Sequence, residues 1–442
     1  MNTDLIIIGS GPGGYHTAGY AAKHGLNVVI IEEEHAGGTC LNCGCIPTKT
    51  LCHEAETVET VSRYLGERPE TDFGAIAERK RQVVEQLRGG VETLMSAPGI
   101  TFVRGHAMLK DARTVTVGSD EYTARNIIIA TGSKPKLPPI EGIDEQDVLT
   151  STGLLDVTSV PRRLCIVGAG VIGMEFASVF NSFGSEVTVV EFLKECLPPF
   201  DSDIAKRLRK TLERRGIKFC MQSAVKAIRR DGDELTVSFE QKKKSMETVA
   251  DVVLIATGRA ARTENIGLET VGVVTDRSGI TVDDNMRTNI DGIYAIGDVN
   301  GRMMLAHAAS AQGMRAVNHI LGKTDKIRLD IMPAAVFTAP EAAAVGLTED
   351  ACREGGIGHT VRKSFYRANG KALAINADEG LLKLITGADG RIIGCHAFGA
   401  HASDIIQEAT AVMNFNGTSA DLHDIIHTHP TLEEILWAAA GE

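Results

Sequence analysis

Three cysteines crowd one glycine-rich run: Gly37-Gly38-Thr39-Cys40-Leu41-Asn42-Cys43-Gly44-Cys45-Ile46-Pro47-Thr48-Lys49. Cys40 and Cys45 are five residues apart. In a continuous helix that spacing puts their Cα atoms beyond the about 7 Å over which a disulfide can close, so a bridge demands a distorted turn. Gly44 and Pro47 are the residues that permit one. Pro47 also suits the first position of a helix running on through Lys49 and Leu51, which puts Cys45 near a helix N-terminus, where a thiolate is stabilised. The chemistry such a pair offers is the uptake and release of two electrons by opening and closing a disulfide. A competing reading is zinc, because Cys40-x-x-Cys43-x-Cys45 could supply three ligands. A structural zinc site needs a fourth, and no Cys/His cluster stands nearby, so no metal is expected.

The elements that must hold this run repeat one design. Leu5 to Ile8 reads as a buried strand, followed by Gly9-Ser10-Gly11-Pro12-Gly13-Gly14, a helix (Tyr15 to Gly25) and a second strand from Val28 to Ile31 that ends at Glu32. Leu164 onward does the same, with Gly168-Ala169-Gly170-Val171-Ile172-Gly173, a helix to Gly184, and a strand Val187 to Val190 ending at Glu191. From first glycine to acid the offset is 23 residues in both copies. The first glycine of each set permits a tight turn, the second lets backbone approach a pyrophosphate, and the third allows close helix–strand packing. The helix N-terminus then offers N–H groups to the anion, and the acid accepts from a ribose diol. Two dinucleotide sites are expected.

Ile127 to Gly132 and Val252 to Gly258 are further glycine-ended strands, one after each unit, and Ile293 to Asp298 returns after the second. This order predicts an α/β fold with two Rossmann-like domains, one inserted in the other. From Pro333 the pattern changes to short alternating runs, Leu381 to Ile385 and Ile392 to Phe398, and then to helical patterns, Ala402 to Asn416 and Leu432 to Ala440. A separate C-terminal α+β domain follows. Val83, Val84, Leu87, Val91 and Leu94 recur at helical spacing, predicting a helix over 79–95.

With 442 residues, several domains are expected. A net charge of −11 argues against nucleic acid or an anionic membrane as partner. The start of the chain shows no basic or long apolar leader and no apolar run spans a bilayer, so a cytoplasmic protein is expected. Nine cysteines in so long a chain do not suggest a secreted disulfide framework, and Cys165, Cys196, Cys220, Cys352 and Cys395 are expected to be reduced and buried.

The cysteine run resembles the active-site segment of the pyridine nucleotide-disulfide oxidoreductases, and the resemblance extends in order along essentially the whole chain. It implies FAD at Gly9, Gly11, Pro12, Gly13, Gly14 and Glu32, with Asp298 holding the ribitol and Thr39, Lys49, Ala107, Thr131, Gly132, Leu305, Ala306 and His307 also lining the flavin site. It implies NAD at Gly168, Gly170, Val171, Ile172, Gly173 and Glu191, with Val225 and Gly258 beside it. The domains then read as FAD-binding (1–145 and 266–330), NAD-binding (146–265) and a C-terminal dimerisation domain (331–442). Further implications are a relay in which Cys45 faces the flavin as charge-transfer thiolate and Cys40 exchanges with substrate, with Lys49 and Glu175 as a pair beside the reactive flavin nitrogen.

His429-Pro430-Thr431-Leu432-Glu433-Glu434 resembles the family's C-terminal catalytic string, which makes His429 the acid–base residue that thiol–disulfide exchange needs. Pro430 restricts His429 to an extended conformation, so its ring should project from the lip of the helix that follows. Glu434 could orient that ring, or it could close a capping box with Thr431. His423 and His427 read as supporting residues. The family further implies an obligate homodimer in which each subunit lends this histidine to its partner's cysteines.

The sequence departs from the family pattern in three places. Cys43 stands where an aliphatic residue is usual, the stretch from Glu32 to Gly37 is one residue short, and Ala260-Ala261-Arg262 follows Gly258-Arg259 in place of Pro-Asn. Within the family, Cys-Leu-Asn-x-Gly-Cys-Ile-Pro and His-Pro-Thr-Leu are most similar to the dihydrolipoyl dehydrogenase branch. No vicinal cysteines end the chain, which disfavours mercury reduction, and Glu191-Phe192-Leu193 with one lysine favours NAD over NADP. That branch implies a lipoyl-bearing protein of a 2-oxoacid dehydrogenase or glycine cleavage system as partner.

Overall fold

The computed structural model describes residues 1–441, which form two compact units. The first unit comprises Met1–Thr50, Ala75–Lys136 and Gly258–Leu329. At its centre the strands Ile100–Arg104, Val28–Glu32, Asn2–Ile8 and Asp120–Ile129 lie side by side and parallel. Register is fixed by Ile8, which faces Ile31 on one side and Ile129 on the other. Their stretches 5–8, 28–31 and 127–129 are unbroken apolar runs because both faces are covered there. Leu5, Ile7, Val28 and Ile30 point to a core shared with Ala18, Ala21, Val84 and Met95, whereas Ile6, Ile8, Val29 and Ile31 point to a second core with Leu109, Val115 and Ile280. Thr114–Val117 and Ala107–Leu109 extend this sheet antiparallel.

The strand Ile293–Ala295 pairs parallel with Asp120–Ile129, although about 160 residues separate them in the chain. The intervening nucleotide unit is therefore an insertion, as the order of glycine-ended strands predicts. Helices begin and end close to the expected positions, with Pro12–Lys23 and Val171–Phe183 following the two glycine sets. Two helices start earlier than their sequence signals. Phe73–Met95 precedes the apolar repeat by a turn and a half, because Phe73 is buried and its ring lies 5.4 Å from that of Phe183, edge-on. Cys45–Leu65 begins two residues before Pro47, so the proline occupies the first turn without heading it.

The second unit comprises Leu51–Gly74, Leu137–Thr257 and the chain from Asp330. Lys218–Cys220, Glu186–Val190, Arg163–Val167, Val252–Ile255 and Val148–Leu149 form, in that order, a second sheet whose strands are all parallel, unlike the mixed first sheet. From Ala334 five antiparallel strands, ordered Ala334–Val336, Glu341–Gly346, Ile392–Gly399, Leu381–Gly387 and His359–Phe365, form the third large sheet. The helices Ala402–Asn414 and Glu434–Gly441 supply Ile405, Ile406, Leu436 and Ala439 to its core. The α/β class with a C-terminal α+β part stands as expected. Of the five cysteines expected to be buried, four are; Cys220 is half-buried.

One buried charge in this unit gives a stability prediction. Lys383 is 2 % exposed and its ammonium lies 2.8 Å from both oxygens of Asp201, which is fully buried, and 2.5 Å from Glu349. Asp201 in turn caps the helix Ser202–Arg214 by accepting from the Asp203 amide at 3.1 Å. Lys383→Met leaves the buried Asp201 without its cation, while Glu349 keeps Arg353, and this is expected to cost roughly 3–5 kcal/mol. Urea denaturation checks this; an unchanged midpoint would show that Asp201 does not need its cation.

Candidate functional site

The cysteine run folds as a short helix, Gly38–Cys43, that stops at Gly44 and restarts at Cys45. Glycine is required at the break, since a Cβ at Gly44 would lie 2.9 Å from the Thr39 oxygen and 3.3 Å from the Cys40 Cα. The Gly44 carbonyl accepts from the Thr48 amide (3.2 Å) and hydroxyl (2.6 Å), which starts the second helix. The break does what a continuous helix cannot. It brings Cys45 back onto Cys40, whose thiol hydrogen-bonds the Cys45 sulfur. That bond, followed by burial and the charge of Cys45, holds the Cys40 thiol far above its ordinary range, against the opposing pull of the Cys45 amide and the Lys49 ammonium. Cys45, at the head of the helix, is the sulfur whose position suits a thiolate.

Two features of this site have no obvious sequence signal. Asn42 donates to the Ala36 and Gly38 carbonyls at 3.0 and 2.9 Å and accepts from Arg88 at 2.8 Å, tying the cysteine helix down. Tyr15, in the first turn after the glycines, has its phenol raised by burial and then by the charges of Cys40 and Cys45, so it lies beside the pair. The Gly37 amide also donates to the Ser10 carbonyl at 3.0 Å, and a Cβ on Gly38 would collide with the Gly11 Cα. The cysteine helix is thus seated directly on the first glycine turn.

Both glycine sets have the same internal geometry. Glu32 accepts from the Ser10 amide at 2.8 Å and the Glu34 amide at 3.0 Å; Glu191 accepts from the Ala169 amide at 2.5 Å and the Leu193 amide at 2.7 Å. Each carboxylate keeps lone pairs for a diol. A Cβ on Gly14 would strike the Gly9 carbonyl, and one on Gly173 the Gly168 carbonyl, so helix and turn touch as the third glycine requires. By contrast, a Cβ on Gly170 would meet nothing within 4 Å, and one on Gly11 only the Gly38 Cα at 4.0 Å. Neither helix N-terminus has a side-chain cap. Open space in front of uncapped N–H groups is the shape and polarity that a pyrophosphate fits.

In the first unit, Asp298 is held by the Ser133 hydroxyl at 2.5 Å with Arg259 at 3.9 Å, and burial raises its carboxyl. Thr131 donates to the Arg262 carbonyl at 2.7 Å. Leu305, Ala306 and His307 sit at the start of the helix Ala306–Ile320, which is also uncapped, and Ala107 is buried at the start of its strand. Thr39 is exposed beside Cys40, and Gly132 and Gly258 have left-handed φ values of 74° and 109°. In the second unit, Val225 is half-buried, and Glu175 is buried with its carboxylate accepting from the Phe337 amide at 3.0 Å. Lys49 belongs to the first unit and Glu175 to the second.

In the C-terminal string Glu434 meets both His429 and Thr431, but the helix begins at Glu434, so Thr431 is not its N-cap and the bond to its amide is only half of a capping box. One oxygen lies 2.9 Å from His429 Nδ1 and the other accepts from the Thr431 amide at 2.9 Å. Those two bonds, the amide first, hold the Glu434 carboxyl below its usual range. The His429 side chain is 79 % exposed, its ring standing clear of the surface. His427 is the opposite, 8 % exposed, with ring nitrogens 2.9 Å from Glu408 and from the Ile425 carbonyl. His423 stacks on Trp437 at 4.9 Å. Among the described residues no cluster of three or more His, Cys, Asp or Glu side chains could hold a metal ion, and no helix is long and apolar enough to cross a membrane.

Residues 3–313 match the family model described as pyridine nucleotide-disulphide oxidoreductase, and residues 332–440 match the dimerisation domain of the same family. The chain belongs to the pyridine nucleotide-disulphide oxidoreductases. Relatives agree over nearly full length. A dihydrolipoyl dehydrogenase from Thermus scotoductus is 39% identical, covering 99% of this chain and 96% of that protein. A leghemoglobin reductase from Glycine max is 37% identical, covering 99% and 87%. Among solved structures, the HOCl-induced flavoprotein disulfide reductase RclA from Escherichia coli superposes with a TM-score of 0.89 at 32% identity, covering 99% of each chain. This chain is accordingly a flavoprotein disulfide oxidoreductase that carries a dimerisation domain, and the cofactors of its family are FAD and NAD(H).

Proposed function

We propose that this protein oxidises dihydrolipoamide to lipoamide and reduces NAD to NADH, the reaction of a dihydrolipoyl dehydrogenase. The observation that carries the proposal is the hydrogen-bonded Cys40–Cys45 dithiol at a broken helix, seated on the first glycine turn. In the proposed reaction a lipoyl thiolate attacks Cys40 Sγ of the Cys40–Cys45 disulfide. A mixed disulfide forms, and Cys45 leaves as a thiolate. The second lipoyl thiol then attacks the lipoyl sulfur of the mixed disulfide; lipoamide closes and Cys40 leaves. Each lipoyl thiol surrenders a proton, which we assign to His429, with Glu434 orienting its ring. FAD and NAD, when bound, carry the electron pair onward from the reduced dithiol. On this reading the first glycine set, Glu32 and Asp298 hold FAD, the second set and Glu191 hold NAD, and Lys49 and Glu175 flank the flavin. The corresponding domains are 1–145 with 266–330, 146–265 and 331–442. A cytoplasmic homodimer serving a lipoyl-bearing protein completes the proposal.

The decisive experiment is steady-state NADH formation from dihydrolipoamide by the purified protein. Failure to turn over more than once would overturn the proposal. A second reading, another disulfide reductase of the family, is favoured by the likeness to the flavoprotein disulfide reductase RclA, with a TM-score of 0.89. It predicts NADH-dependent reduction of other disulfides with little reverse activity on dihydrolipoamide.

Nicotinamide choice gives a separate prediction. The Glu191 carboxylate can accept a 2′-hydroxyl but repels a 2′-phosphate. NAD should exceed NADP in kcat/KM by roughly a hundredfold, the equivalent of about 3 kcal/mol for a lost charged hydrogen bond. Equal use of the two would show that Glu191 does not meet the ribose.

A further inference from the structure

Cys43 has no part in the proposed relay, yet it shares the helix Gly38–Cys43 with Cys40, three residues away and half-buried as Cys40 is. Helix geometry places residues three apart on one face, with Cα atoms about 5 Å from each other. That separation lies inside the roughly 4.4–6.8 Å window that a disulfide spans. Cys45 reaches Cys40 by another route, through the helix break at Gly44, and meets it sulfur to sulfur. Cys40 thus stands between two thiols, one across the break and one a single turn along its own helix.

We infer that Cys43 is a third redox thiol, able to exchange into the active-site disulfide and form a Cys40–Cys43 bridge. The inference rests on the reading of Cys40 and Cys45 as the redox pair. The Cys43 thiolate attacks Cys40 Sγ, the Cys40–Cys45 bond breaks, and Cys45 leaves as a thiolate. The proton lost from Cys43 goes to solvent or to Cys45, so the exchange is an isomerisation that needs no oxidant or reductant. The Cys40–Cys45 form remains the major one. Its two sulfurs already meet, and this outweighs the helix dipoles, which favour the charge on freed Cys45, at the head of a 21-residue helix, over Cys43, at the end of a short one. The exchanged form keeps the substrate-facing sulfur oxidised while leaving Cys45 reduced.

The test uses the full-length protein oxidised with diamide, alkylated with N-ethylmaleimide and digested with trypsin. The peptide 24–49 holds Cys40, Cys43 and Cys45 and no other cysteine. Cys43→Val should yield this peptide bridged and unalkylated, reporting Cys40–Cys45. Cys45→Ser should also yield it bridged, reporting Cys40–Cys43, at a level at least about ten times that of Cys43→Val/Cys45→Ser. In the wild-type protein, fragmentation should place the alkyl group mainly on Cys43 and in a minor fraction on Cys45. A bridged Cys43→Val with an unbridged Cys45→Ser, or with no wild-type label on Cys45, overturns the inference and leaves the relay standing. An unbridged Cys43→Val overturns the relay itself, and the inference with it.

Discussion

Cys40→Ser and Cys45→Ser are each expected to lower dihydrolipoamide turnover by roughly a thousandfold or more, and to do so with different spectra. In Cys40→Ser the serine hydroxyl can still donate to the Cys45 sulfur, as the Cys40 thiol does. Cys45 keeps its place at the head of the helix Cys45–Leu65 and becomes a permanent thiolate. A long-wavelength charge-transfer band should then be visible in the FAD-loaded protein without any reduction. Cys45→Ser removes that sulfur, so the band should be missing from the two-electron-reduced protein as well. Stopped-flow absorbance with dihydrolipoamide checks both forecasts together. Wild-type turnover in both variants would remove the relay; a band in Cys45→Ser and none in Cys40→Ser would reverse the roles of the two sulfurs. Cys43→Val should leave turnover nearly unchanged, because the bridge it would prevent is a minor form.

The sequence makes the nucleotide sheets legible for a physical reason. Strands buried on both faces must be apolar throughout, and the first and third glycines of the turns between them tolerate no other residue without a collision, as Gly14 against the Gly9 carbonyl shows. The break at Gly44 is legible in the same way, from a spacing of five that no straight helix can bridge. Pairings between distant residues are not. Lys383 interrupts an apolar strand that is buried on both faces, and only the fold brings Asp201 and Glu349 around it. The earlier start of the helix Phe73–Met95 depends on aromatic contacts with Phe180 and Phe183, which leave no local period. Pro47 misdirected the start of the cysteine helix by two residues, because any first-turn position tolerates a proline and the Gly44 carbonyl decides where the turn closes.

Glu434 leads to the second large effect. Its two oxygens divide the work: one takes the Thr431 amide and fixes the carboxylate, the other meets His429 Nδ1. That arrangement points Nε2 of an exposed ring away from the protein, ready for a proton from outside. His429→Gln keeps a polar side chain of similar reach and loses the titration, so turnover should fall by about a hundred- to ten-thousandfold. Glu434→Gln should cost less, since the amide can still accept from Thr431 while the ring loses its charged partner. If the dimer shares its sites, as the dimerisation domain and the proposed roles suggest, one subunit's His429 serves the other subunit's Cys40. Mixing inactive Cys40→Ser with inactive His429→Gln then tests both ideas. A statistical mixture contains half heterodimers, and each of these has one site with both groups intact and one with neither, so about a quarter of wild-type activity should return. Differently tagged subunits verify that exchange has occurred. Verified exchange with no recovery would show that each subunit uses its own histidine, and a fully active His429→Gln would show that the proton goes elsewhere.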